Sequence, residues 1–154
     1  MVDRLIEQLA LLWPDDGIVR AIAVAAPGAI DPEKGLIYSA PNIPGWDNLH
    51  LRSILEDRFQ VPVRLGNDAN MAAMGEWKYG AGRGHKDLIY FTVSTGIGGG
   101  VISSNCLLLG AAGLAAEVGH VTVDPNGPLC ACGQRGHLEA FASGTAIARY
   151  VAAE

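Results

Sequence analysis

The run Leu88-Ile89-Tyr90-Phe91-Thr92-Val93 feeds without a break into Ser94-Thr95-Gly96-Ile97-Gly98-Gly99-Gly100. β-branched and aromatic residues in such a run predict a strand. The glycines that follow let backbone come close to a neighbour without Cβ obstruction. Val101-Ile102-Ser103 then reads as the returning strand. Two structures satisfy the pattern, a tight hairpin or a cradle whose N–H groups approach an anion. It is neither the dinucleotide fingerprint nor the Walker A loop, because the spacings differ and no Lys follows.

The remaining elements alternate in type. Leu5, Ile6, Leu9, Leu11 and Leu12 lie at helical spacing, and Pro14 closes that helix. Residues 18–26 are almost continuously apolar, as in a strand covered on both faces. Asp31-Pro32-Glu33-Lys34-Gly35 reads as a turn between two extended pieces. A Pro/Gly-rich loop over 41–48 carries Trp46, an amphipathic helix follows over 49–59, and 61–65 is a short strand. A helix over about 68–79 stops at Gly80, Gly82 and Gly84, and the last helical sequence begins at Leu138. Strands alternating with helices predict an α/β fold. The best lobe boundary is 80–86, giving a portion over 1–80 and a second over 81–154.

With 49% hydrophobic and 18% charged residues in 154, the chain can bury a core and is not disordered. A net charge of −5 without any basic run argues against nucleic acid as a partner. No apolar stretch approaches the roughly 20 residues of a membrane helix, and residues 1–4 carry no signal-peptide pattern. The expected location is the cytoplasm, where structural disulfides are rare. Cys106, in an apolar run, is expected to be an inert buried residue. Cys130 and Cys132, beside glycines and histidines, read instead as metal ligands.

Two further segments carry chemistry. In Asn67-Asp68, a strand runs into a helix and places Asp68 near the helix N-terminus. There a carboxylate serves as a cap, or as a general base taking a proton from an attacking hydroxyl. His120, Cys130, Cys132 and His137 form a two-Cys, two-His set suited to a closed tetrahedral zinc site. A mobile glycine-rich loop is the bland alternative. Glu117 and Glu139 flank that set; they are surface charges, or acceptors for neighbouring sugar hydroxyls.

In this order, Asn67-Asp68-Ala69-Asn70, the Ser94 to Gly100 turn, the Glu117-Val118-Gly119-His120 segment and the loop from Cys130 to Glu139 resemble the ROK family. That group of repressors, open reading frames and kinases includes the bacterial-type glucokinases. The resemblance covers residues 18–154. It implies an actin-like ATPase (ribonuclease H-like) fold, with two lobes and a cleft between them. It further implies an ATP-dependent kinase acting on the 6-hydroxyl of a hexose, with Asp68 as catalytic base. Gly28, Asn67, Glu117, His120 and Glu139 would contact the sugar. Thr95, Gly96 and Gly98 would hold ATP phosphates with Mg2+. A structural Zn2+ on His120, Cys130, Cys132 and His137 would fix the His120 ring while its other nitrogen meets the sugar.

The sequence departs from the family twice. His137 stands where a third cysteine is usual, and imidazole is an acceptable replacement ligand. The Asp-x-Gly-Gly-Thr phosphate loop that opens family members is absent from this sequence. The chain is therefore expected to be an internal fragment, inactive alone because phosphoryl transfer depends on positioning and charge stabilisation. An unpaired sheet edge makes a homo-oligomer, a dimer, the expected assembly. Alternatives are an N-acetylhexosamine kinase or the sugar-sensing body of a ROK repressor, whose DNA-binding part would lie before Met1. A zinc-ribbon-like module leaves Asn67-Asp68 and the glycine turn unexplained. The sugar, and ATP against polyphosphate as donor, stay open.

Overall fold

The computed structural model describes residues 1–40 and 42–152; Pro41, at the start of the expected 41–48 loop, and Ala153 and Glu154 lie outside the described residues. The chain divides into two compact units, Met1–Asp68 and Ala69–Glu154.

The first unit is built on α1 (Val2–Leu11), β1 (Ile22–Ala26), β2 (Ala29–Asp31), β3 (Leu36–Ser39), β4 (Asp47–Leu49), α2 (Leu51–Phe59) and β5 (Val63–Asn67). Ile37, Leu51, Leu55 and Val63 are fully buried at its centre, and Leu5, Ile6 and Leu9 of α1 pack onto them from outside. Each such aliphatic side chain contributes about 1.5–3 kcal/mol on burial, so this cluster holds the helices to the sheets. β1 pairs in parallel with β5, from Ile22 opposite Val63 to Ala26 opposite Asn67. The carboxyl ends of two parallel strands thus lie side by side, where the chain next turns into Gly28 and Asp68. Such ends are where α/β sheets place their ligands.

β1 is shorter and more open than the apolar run over 18–26 suggests. Its partner starts at Val63, and the Ile22 N–H donates to the Pro62 carbonyl at 2.9 Å, so pairing cannot begin earlier. Ile18 is left 86% exposed, and Ala23 and Ala25 face outward. The Asp31 to Gly35 turn forms as expected between β2 and β3. The Asp31 carboxylate accepts the Glu33 and Lys34 backbone N–H groups and the Tyr38 hydroxyl, and pairs with Lys34 Nζ at 2.8 Å.

The second unit follows the first residue of α3 (Asp68–Tyr79) and contains β6 (Leu88–Val93), β7 (Ile97–Ser103) and β8 (Cys106–Leu107). A 3-10 turn (Val118–His120), α4 (Leu138–Ala142) and α5 (Gly144–Val151) complete it. β6 and β7 are antiparallel with Val93 opposite Ile97, so the turn proper is only Ser94, Thr95 and Gly96. Gly98, Gly99 and Gly100 belong to the strand. The reason is close packing. A Cβ on Gly99 would strike the Tyr90 carbonyl and approach Val118 Cγ2 to 2.6 Å, and one on Gly100 would lie 2.6 Å from Ala73 Cβ. Cys106 is exposed. It sits on a two-residue strand at the sheet margin, and its apolar neighbours are not enough to bury it. No helix among the described residues is long and apolar enough to cross a membrane.

Candidate functional site

Gly28 occupies a left-handed conformation, φ +96°, and any Cβ there would run into the Ser39 carbonyl. Its own carbonyl accepts from Asn67 Nδ2 at 3.2 Å. The β1–β5 register therefore brings together two residues 39 positions apart that the sequence singled out separately. Asp68 follows at once as the exposed first residue of α3. Gly28, Asn67 and Asp68 all belong to the first unit.

The other candidates lie in the second unit. Glu117 is the exposed residue at the N-cap of the 3-10 turn, and its carbonyl accepts the His120 N–H at 3.0 Å. His120, Cys130, Cys132 and His137 converge, with one donor atom from each lying within 4.8 Å of all the others. The loop that delivers them is narrow. Cys130 N–H donates to the Gln134 carbonyl at 2.8 Å and Gly133 N–H to the Cys130 carbonyl at 3.0 Å. Gly136, at φ +74°, abuts the Asp124 carbonyl so closely that no side chain fits.

The donor geometry suits zinc. Tetrahedral bonds of the usual Zn–N and Zn–S lengths give edges of about 3.3 Å between two nitrogens and about 3.6 Å between nitrogen and sulfur. The His120 and His137 Nδ1 atoms are 3.2 Å apart. Cys132 Sγ lies 3.3 Å from His137 Nδ1, and Cys130 Sγ 3.7 Å from His120 Nδ1. Both imidazoles face the set through Nδ1 and meet edge to face, at 74°. His137, the residue that departs from the family pattern, is buried and turned into the set. Burial pushes the Cys130 thiol up from its ordinary value, opposed by the Cys132 backbone N–H and reinforced by the Cys132 and Glu139 side chains. A divalent cation among these donors would reverse that preference, because thiolate is the ligand form.

Glu139, in the first turn of α4, links this loop to the glycine turn. Its Oε1 lies 3.7 Å from Cys130 Sγ, and its Oε2 accepts the Ile97 N–H at 2.9 Å. A side chain at Gly96 would collide with that carboxylate. Gly98 lies opposite Thr92, while Thr95 sits in the turn. Gly144 and Thr145 were not singled out in the sequence, yet they also reach the turn. Thr145 Oγ1 donates to the Thr95 carbonyl at 2.9 Å, and Gly144 N–H to the Ser94 carbonyl at 2.8 Å. Ser-Gly-Thr before a helical stretch does announce a cap, but nothing local names a partner 50 residues away.

Fold and site together define an α/β protein of the actin-like ATPase class. The ROK hexokinase from Thermus thermophilus superposes with a TM-score of 0.87 at 42% identity, covering 98% of this chain and 52% of that one. A ROK family glucokinase from Streptomyces griseus, solved with glucose and AMPPNP, gives 0.82 at 43% identity over 97% and 47% of the two chains. The chain belongs to the ROK family, whose profile matches residues 2–154. It is 49% identical over 130 residues to the glucokinase of Thermotoga maritima, spanning 84% of this chain and 41% of that protein. It is also 42% identical over 126 residues to the xylose repressor of Bacillus subtilis, of which it spans 32%. The chain thus spans between 32% and 52% of the length of these relatives.

Proposed function

We propose that the protein carrying this chain transfers the γ-phosphoryl group of ATP to the 6-hydroxyl of a hexose, as a glucokinase-like enzyme of the cytoplasm. Asp68 takes the hydroxyl proton, the sugar oxygen forms a bond to phosphorus, and ADP leaves with the electrons of the broken phosphoanhydride bond. Gly28, Asn67, Glu117, His120 and Glu139 hold the sugar, with His120 using the Nε2 that its Nδ1-facing pose leaves over. Thr95, Gly96 and Gly98 border the nucleotide phosphates, which Mg2+ would accompany. Zn2+ on His120, Cys130, Cys132 and His137 would stiffen the loop and supply no chemistry of its own, because four protein ligands leave no open position.

One observation carries this reading: Glu139 is bonded to the glycine turn through Ile97 while lying against the metal-donor set at Cys130. A single carboxylate thereby ties the part that would recognise sugar to the part that would receive phosphate. The division into a sugar-binding portion over 1–80 and a phosphate- and zinc-loop portion over 81–154 belongs to the same proposal. So does self-association, for which the two-stranded β1–β5 sheet offers open edges among the described residues.

The test is a coupled kinase assay of the complete gene product against glucose, mannose, N-acetylglucosamine and N-acetylmannosamine, with ATP or polyphosphate as donor. Asp68→Asn should abolish turnover, by at least 100-fold, while sugar binding by calorimetry stays intact. Turnover retained in that variant would remove Asp68 from the chemistry. The similarity to xylose repressors favours a second reading, the sugar-sensing body of a regulator. Sugar binding with no turnover in the complete protein would select it.

A further inference from the structure

The glycine turn is held from one side by a latch that the roles given above do not use. Both of its first two carbonyls point at the start of α5. The Ser94 carbonyl accepts the Gly144 N–H at 2.8 Å. The Thr95 carbonyl accepts the Thr145 hydroxyl at 2.9 Å and the Thr145 N–H at 3.4 Å. The approach is close enough that a Cβ on Gly144 would sit 2.7 Å from the Ser94 oxygen. Behind the latch, Ser143 is fully buried. Its hydroxyl caps α5 by accepting the Ala146 N–H at 3.2 Å and shares a hydrogen bond with Thr145 Oγ1 at 3.0 Å.

On the other side of the turn, the Ile97 N–H is taken by Glu139. Carbonyls of 94 and 95 drawn toward α5 leave the neighbouring peptide units little freedom to rotate, since each peptide is a rigid plane. The direction in which the turn presents its N–H groups is then set by α5. A phosphate held by backbone donors needs them aimed before it arrives, because donors that must be ordered on binding weaken it.

We propose that Thr145 is a positioning residue for nucleotide phosphate: its hydroxyl, backed by Ser143, fixes the Thr95 carbonyl and so aims the glycine turn. This inference rests on reading residues 94–100 as the phosphate cradle. Thr145 itself touches no substrate in this scheme. Glu139 and the metal loop share α4 with Ser143 at its C-cap, so the latch connects the metal-bearing loop to the turn through one short helix.

The experiment is a titration of isotope-labelled protein with MgATP, followed through the backbone amides of residues 94–100, for the wild type, Thr145→Val and Thr145→Ser. Valine keeps the bulk and the backbone N–H and removes only the hydroxyl. It should raise the MgATP concentration at half-response about fivefold, the equilibrium factor of one neutral hydrogen bond, and speed exchange of the Gly96 and Ile97 amides. Serine should restore wild-type behaviour, and amides of the first unit should superimpose in all three spectra. A Thr145→Val protein that titrates within twofold of the wild type overturns the latch. A Thr145→Ser protein as weak as Thr145→Val overturns it too, because the hydroxyl would then not be the agent. If the wild-type turn does not respond to MgATP at all, the cradle reading fails first and the latch with it.

Discussion

Replacing His137 by alanine tests the proposed metal centre where this chain departs from its family. The imidazole supplies one of four donors, and its Nδ1 is 3.2 Å from that of His120 and 3.3 Å from Cys132 Sγ. Structural zinc sites of this composition bind with roughly 10–16 kcal/mol. Divided over four ligands, each donor accounts for about 2.5–4 kcal/mol, or between about 70- and 900-fold in dissociation constant. Water can occupy the vacated position, which favours the lower end. His137→Ala should therefore weaken zinc by about 100-fold in competition with a chromophoric chelator. With Co2+ as a spectroscopic stand-in, the intense tetrahedral absorption should fall, while His137→Cys should keep it and shift it toward a three-sulfur spectrum. A His137→Ala protein that holds zinc within threefold of the wild type would refute the reasoning. It would mean that the ring lies among the donors without bonding, and that three residues complete the site.

Two further outcomes follow from burial and charge. Leu55→Ala empties a fully buried position at the centre of the first unit and should cost about 2–5 kcal/mol; a urea midpoint unchanged from the wild type would contradict the packing described. Asp31, hydrogen-bonded and paired to Lys34, has its carboxyl held down at about 2. A depressed carboxylate stabilises the fold fully above its unfolded value of about 4 and loses that contribution as pH falls through its folded value. The melting-temperature advantage of wild type over Asp31→Asn should thus be constant near neutrality and close between about pH 4 and 2. An advantage that persists below pH 2 would show that shape and not charge sets it.

What was legible in the sequence was whatever spacing along the chain determines. The apolar run at Leu88–Val93 is the observed strand to the residue. The two cysteines and two histidines come together because glycines at 133 and 136 permit the bends between them. What was not legible depends on a partner remote in the chain. β1 begins at Ile22 because β5 begins at Val63. Cys106 is exposed because a two-residue margin strand has little to cover it, which its apolar neighbours in sequence do not reveal. Likewise the bond from Glu139 to Ile97 spans 42 positions and that from Thr145 to Thr95 spans 50. Carboxylates and hydroxyls have no periodicity that would announce such pairings. The glycines at 98–100 were visible as a motif, yet part of their purpose is strand packing against Val118, Tyr90 and Ala73 rather than the turn.

That packing couples the seat of the 3-10 turn, and with it His120, to Gly99 and to Gly119, whose Cβ would run into the Ile97 carbonyl. The residue beside Val118 in space carries no side chain, so the 3-10 turn can settle directly onto the strand. An alanine at 99 would alter no ligand and would lie far along the chain from the cysteines, yet its Cβ would press on the Tyr90 carbonyl and on Val118 of the 3-10 turn. A histidine displaced by even part of an ångström no longer meets a cation whose bond lengths tolerate only about 0.2 Å. Loss of metal in a variant of this strand would therefore be a fault of levelling, with every donor still present.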